Sequence, residues 1–466
     1  MKSAALTSVS LALVACISFM ICACNCNRAP VGSAAVPAPA NAQPARQPRR
    51  GNDTTMMAVD FLEERVKSDP DDLVALNKLA AYYLQLHRET EDVSYLEMSL
   101  RAAQSSLRVL PADQNLSGLR ALVLAEYETH NFVPARDHAK ELTEYEPRRA
   151  FGFQLQGDAL LELGDYDGAI AAYKKMEELD GGTVATETRL AHLALLQGDS
   201  ATALRRYGVA LAEAKNSSFP SVETIAWCHW QLGEVRAATG DYQKAAGHYQ
   251  DALAAFPDYP HAVTSMARYR GAQGDLKTAT EAFEKLVRKY ADPIDEAVLG
   301  DFYKLAGRDS DAQRQYSEVE RLSQQSALYS ALYNRHLVLF WADHDMKTDA
   351  AYELAKKEFE TRRDVYGADA LAWAALKVGK VAEAQTVIKD ALRLGTLDAR
   401  LFYHAGMIAR AAGDREGAAD FLRRAIKLNP HFDPWQSQVA RKALEEITGV
   451  RASPSQGPLL ASRTIR

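Results

Sequence analysis

The side chains best suited to hold a metal or attack a substrate in this 466-residue sequence are eleven histidines and five cysteines, and they are scattered. The nearest approach to a ligand cluster is Asp343-His344-Asp345, a run that fits a solvated turn between two helices better than a metal site. His130 and His138 stand on either side of Pro134 and form no metal-ligand spacing. Trp227-Cys228-His229-Trp230 is the most unusual local cluster. Its cysteine is expected to be a small buried apolar residue, not a reactive thiol. No phosphate-cradling glycine loop, nucleophile elbow, zinc-protease helix or dinucleotide fingerprint occurs. The expectation is therefore no catalytic residue, no metal, no cofactor and no small-molecule substrate.

What organises the chain instead is a glycine beat: Gly164, Gly198, Gly240, Gly274, Gly307, Gly379 and Gly413. Seven residues before each stands glycine or alanine, and five after each stands an alanine (Ala169, Ala203, Ala245, Ala279, Ala312, Ala384, Ala418). Nine after, an aromatic recurs in Tyr173, Tyr207, Tyr249, Phe283 and Tyr316, with Ile388 and Leu422 in the last two units. Small residues on both sides of a turn mark the closest crossing of two antiparallel helices, where extra volume costs about 1–3 kcal/mol. The glycine suits a left-handed helix end. The aspartate that follows in five units (Asp165, Asp199, Asp241, Asp275, Asp414) suits the N-cap of the next helix. A lone helical hairpin cannot bury its apolar face, so neighbours must stack into a solenoid.

These residues resemble the tetratricopeptide repeat. The unit from Ala226 to Pro257 carries the likeness best, through Leu232-Gly233, Gly240-Asp241-Tyr242, Ala245, Tyr249, Ala252 and Pro257. Weaker units run from Asp71 to Pro111 and from Gly118 to Pro147, and a degenerate one from about Leu328 to Tyr366 puts His344-Asp345 where others have Gly-Asp. The resemblance implies an all-α, right-handed superhelical solenoid of about ten repeats over residues 56–432, closed by a capping helix at 433–449. In the family's register the first helix of each repeat faces a concave groove that grips peptides. That puts Trp230, Glu234, His261, Arg268, Asp301, Lys304, Trp373, Arg400, Tyr403 and Arg410 on the groove lining. Trp227 is expected instead to plug the joint with the preceding unit.

The ends differ from the body. Residues 1–26 carry Lys2 and then a mostly apolar stretch, as an export signal does. Ile21-Cys22-Ala23-Cys24 is similar to a bacterial lipobox, making Cys24 the expected lipidation site and Cys16 the alternative. An uncleaved membrane anchor is the other reading of that stretch. Residues 27–55 form an Ala/Pro-rich tether, and 450–466 a polar tail. Residues 1–50 hold five basic and no acidic side chains and 450–466 hold three and none. With those eight charges removed from the net −6, the body carries −14. That balance excludes a basic stripe for nucleic acid. The sequence therefore points to a non-enzymatic scaffold in the cell envelope, anchored to a membrane and facing the periplasm or exterior. It would bind a protein or peptide in its groove, or alternatively build an envelope complex by self-association or edge contacts.

Overall fold

The computed structural model describes residues 53–449 other than 219 and 291. The lipobox cysteines, the export stretch, most of the tether and the tail lie outside the described residues.

All regular structure among the described residues is helical, in twenty-two helices. A leading helix, α1 (Asp53–Ser68), begins inside what the sequence assigned to the tether. Ten hairpins follow. The first five pair α2 (Leu73–Thr90) with α3 (Ser94–Val109), α4 (Leu116–Glu128) with α5 (Phe132–Tyr145), α6 (Ala150–Glu162) with α7 (Tyr166–Asp180), α8 (Val184–Leu196) with α9 (Ser200–Asn216), and α10 (Val222–Ala238) with α11 (Tyr242–Ala255). The next five pair α12 (Pro260–Ala272) with α13 (Leu276–Lys289), α14 (Pro293–Leu305) with α15 (Asp309–Ser323), α16 (Ala327–Asp343) with α17 (Thr348–Phe359), α18 (Val365–Lys377) with α19 (Val381–Leu392), and α20 (Ala399–Ala411) with α21 (Arg415–Leu428). A closing helix, α22 (Gln436–Thr448), packs on α21 and α20. The solenoid expected from the beat is this stack.

The beat works as its chemistry dictates. All seven glycines have positive φ, and each turn closes with the paired backbone bonds of a left-handed helix end, as in Asp165 N–H to Leu160 O at 2.9 Å and Gly164 N–H to Leu161 O at 3.0 Å. Asp165, Asp199, Asp275 and Asp414 cap the next helix with their side chains. Asp241 does not; its carboxylate pairs with Lys244 instead. At Gly157, Gly233 and Gly300 an added Cβ would lie 2.4 Å from the ring of Tyr173, Tyr249 and Tyr316, so the aromatic lies flat on the glycine of its own hairpin.

The degenerate units obey the same rule without glycine. His130 and Asp345 have φ of 60° and 52°, and each closes the same bond pattern: Asn131 N–H to Glu126 O, and Met346 N–H to Trp341 O. Asp345, not His344, therefore holds the glycine's place. Left-handed backbone costs a side-chain-bearing residue about 1–2 kcal/mol, which packing at these two turns offsets.

First helices of successive hairpins touch one another (α2 with α4, α16 with α18, α18 with α20), while second helices of successive hairpins do not approach as closely. The stack therefore curves with its first helices inside. It curves far enough that turns of the first half meet loops of the second half. Val365 N–H donates to Tyr166 Oη at 2.8 Å, and Arg393 donates to Gly164 O at 3.1 Å. The Thr396 hydroxyl reaches Leu196 O at 2.5 Å, and Asn429 Nδ2 reaches Ala237 O at 3.1 Å. A salt bridge joins Arg362 to Glu162, and Tyr242 bonds Asn429. The α6–α7, α8–α9 and α10–α11 turns thus rest in order on the loops after α17, α19 and α21, closing the coil along a seam.

Candidate protein-binding surface

Three glycines that admit a tyrosine ring are each followed by an acid: Asp158, Glu234 and Asp301. Each acid accepts the hydroxyl of its own hairpin's tyrosine, at 2.7 Å from Tyr173, 2.7 Å from Tyr249 and 2.8 Å from Tyr316. Each also takes a donor from the next hairpin. Arg189 Nε and Nη2 clasp Asp158 at 2.8 and 2.6 Å, both side chains fully buried. The Ser265 hydroxyl donates to Glu234 at 2.7 Å, and His344 Nε2 lies 2.7 Å from Asp301. Two of the expected groove acids, Glu234 and Asp301, are therefore clamps between repeats. Burial raises the Asp158 and Asp301 carboxyls although Arg189 and His344 pull the other way. Burial likewise opposes the charge on His344, but Asp301 outweighs it and raises the imidazole to about 9.

Two of the three aromatic candidates are buried. Trp373 and Tyr403 are each 1% exposed, inside the joint between the last repeats. Trp373 stacks on His404 with centroids 4.3 Å apart, and its indole N–H donates to Asp343 at 2.9 Å. The Tyr403 hydroxyl donates to Gln436 at the start of α22. Neither ring offers a face to a partner, because the curve brings consecutive first helices too close to leave one open. Trp230 is only partly covered, yet its ring stacks on His261 at 4.6 Å and its N–H donates to Ser265 at 3.0 Å. Trp227 plugs the joint against Tyr207 as expected, and Cys228 is buried. The solvated turn expected at Asp343–Asp345 holds for Asp345 alone, since Asp343 and His344 are both drawn into these bonds.

The cationic candidates divide. Arg400 is paired with Asp433 at 2.8 Å and Arg410 with Glu446 at 2.7 Å, tying α20 to the closing segment. Arg268 and Lys304, on α12 and α14, are exposed; Lys304 meets the exposed Asp309 at 2.8 Å. The Arg268 charge works against burial at Asp292 and Asp295, the latter pushed up to about 7 by burial and by Asp292.

Where first helices of both halves approach one another, the inner wall holds a cavity of about 70 Å³, room for a few waters. His87, Glu91, Glu128, His130, His261 and Asp292 line it. Burial lowers His87 and His261 to about 4 and raises Glu128 to about 7, so this lining is less charged than its composition implies.

The sequence missed the acid–tyrosine clamps and the seam. The clamps had a signal, since the acid follows the small residue only where that residue is glycine and the later aromatic is tyrosine. The left-handed turns had one too: His130 precedes Gly164, and Asp345 precedes Gly379, by the same 34 residues that separate Gly164 from Gly198. Nothing local announces the seam.

A tetratricopeptide-repeat family model matches residues 182–258, and another matches 120–182 and 370–431. Among curated proteins, cellulose synthase operon protein C of Escherichia coli K12 is 25% identical over 313 residues, as is its counterpart in strain O157:H7. The match takes in 66% of this chain but only 26% of that protein, so the chain spans about a quarter of the length of these relatives. Among solved structures, PilW, a widely conserved type IV pilus biogenesis factor, has a TM-score of 0.38 at 17% identity, covering 46% of this chain and 95% of PilW. The human IFIT1 dimer with PPP-AAAA has a TM-score of 0.43 at 16% identity, covering 80% and 86%. A tetratricopeptide repeat protein of Parabacteroides merdae has 0.31 at 16% identity, covering 57% and 98%.

Proposed function

We propose, from a chain that contains tetratricopeptide repeats, that this protein is a non-enzymatic scaffold that binds another protein through the inner face of its coil. The observation that carries this reading is the division of that face. Its aromatic and acidic side chains are committed to holding repeats together, while Arg268 and Lys304 stay exposed on adjacent hairpins. Arg268, and Lys304 beside its exposed partner Asp309, suit an acidic segment of a partner, gripped by charge and hydrogen bonds.

The export stretch and the lipobox-like run ending at Cys24 support a membrane-tethered scaffold in the cell envelope. The name of the curated relatives makes a polysaccharide-synthesis assembly the first source of partners to try.

Affinity capture from detergent-solubilised membranes tests the reading, comparing the full chain with its Arg268→Glu/Lys304→Glu variant. Both residues are exposed, so helicity by circular dichroism should not change. The expected result is at least a tenfold loss of captured partner. Unchanged capture by a helical variant would overturn the inner-face reading.

A further inference from the structure

His229 on α10, and His248 and Asp251 on α11, converge at one side of their hairpin. Each can offer one ligand atom so that all three atoms lie within 4.8 Å of one another. His229 Nδ1 is 3.6 Å from an Asp251 carboxylate oxygen, and the two imidazole centroids are 5.8 Å apart. His229 is only 7% exposed, and its Nδ1 finds no hydrogen-bond partner; nor does the buried Nδ1 of His248. Two buried imidazole nitrogens without partners are costly unless something accepts their lone pairs or takes their protons.

We infer that these three side chains form a binding site for a divalent transition-metal ion of the imidazole-preferring kind, with Zn²⁺ as its type. Two nitrogens and one carboxylate oxygen are a ligand set for Zn²⁺, Co²⁺, Ni²⁺ or Cu²⁺ and not for Mg²⁺ or Ca²⁺. Tetrahedral ligation at about 2.0–2.1 Å places neighbouring donor atoms roughly 3.3 Å apart. The present spread, up to 4.8 Å, needs a contraction of up to about 1.5 Å, within the reach of side-chain rotation. Asp251 is 61% exposed, so the ion has a path from solvent and a fourth position for water.

Charge around the site is mixed. Burial keeps both imidazoles neutral at pH 7, the form that ligates; Lys215 adds to this at His229 and Arg236 at His248. Those two cations oppose the ion, and Asp251 opposes them. Once bound, the ion would pin α10 to α11, the hairpin whose turn at Gly240–Tyr242 rests across the seam on residues 428–431.

No metal is expected from the sequence alone, because His229 lies far from His248 and Asp251 in the chain. The His-x-x-Asp pair on α11 becomes a site only when the hairpin brings His229 beside it.

Calorimetric titration of Zn²⁺ into the chelator-treated full chain in mild detergent tests the inference. Cys16, Cys22, Cys24 and Cys26 are replaced by serine so that their thiols cannot compete. One saturable site is expected, weakened at least tenfold in His248→Ala and in Asp251→Asn while circular dichroism is unchanged. Co²⁺ in place of Zn²⁺ should give the visible absorption of a tetrahedral centre in the parent and not in His248→Ala. Absence of saturable binding, or binding that both variants retain, overturns the site.

Discussion

Single residues on the inner wall do structural work that their chemistry alone would have assigned to a ligand. Glu234 is an acid on a groove wall in the sequence, yet its carboxylate joins Tyr249 to Ser265 and through it to Trp230. Leaving a buried carboxylate such as that of Asp158 without partners costs about 1–3 kcal/mol or more, which explains why these acids come with tyrosines. Glu296 is the unsatisfied counterpart: one of its carboxylate oxygens is buried without a hydrogen-bond partner. Burial, and then the charges of Glu318, Asp295 and Asp292, raise it to about 8 although Arg321 pulls it down. Its folded value lies above the ordinary 4.5, so it binds a proton in the folded chain that the unfolded chain releases. The resulting destabilisation is absent below about pH 4.5, grows as pH rises, and is complete above about 8. Glu296→Gln should therefore raise the melting temperature at pH 8 and leave it nearly unchanged at pH 4.5. An equal gain at both values would refute this assignment.

At the scale of the hairpin the sequence was legible, because spacing and small residues dictate it locally. Glycine at the helix end, alanine at the crossing and aspartate at the cap together predicted the helices of the seven regular units. They weakened where another residue took the glycine's backbone: the weaker units were placed, but not the residue, His130 or Asp345, that takes left-handed φ. They also could not tell one turn glycine from another. Gly198 and Gly379 have nearly the same φ, 76° and 77°. A Cβ on Gly198 would meet the carbonyl oxygen of Gly395 across the seam at 2.4 Å, whereas Gly379 has nothing within 4 Å. Alanine at Gly379 should cost about 1–2 kcal/mol, the penalty of left-handed backbone alone. At Gly198 it must also push the seam apart, so chemical denaturation should show a clearly larger loss there. Equal losses would mean that the seam contributes nothing to stability.

The whole molecule is where the sequence was least informative, since curvature sums small angles over ten hairpins. Closure of the coil turned an expected open groove into a wall of repeat clamps, with a small cavity where its two halves approach. Composition showed an acidic body but not that burial raises many of its carboxyls and lowers most of its buried histidines. Of the expected groove cations Arg268, Lys304 and Arg410 stay exposed, the last two paired with Asp309 and Glu446, and the proposed scaffold role rests on the inner face. Lysine crosslinking of the chain to its captured partner, read by mass spectrometry, tests this most directly. Lys304 lies on the inner α14, whereas Lys277 and Lys285 lie on α13, a second helix of its hairpin. The account predicts that partner crosslinks concentrate at Lys304. Crosslinks concentrated at Lys277, Lys285 and the lysines of other second helices, with Lys304 bare, would contradict it.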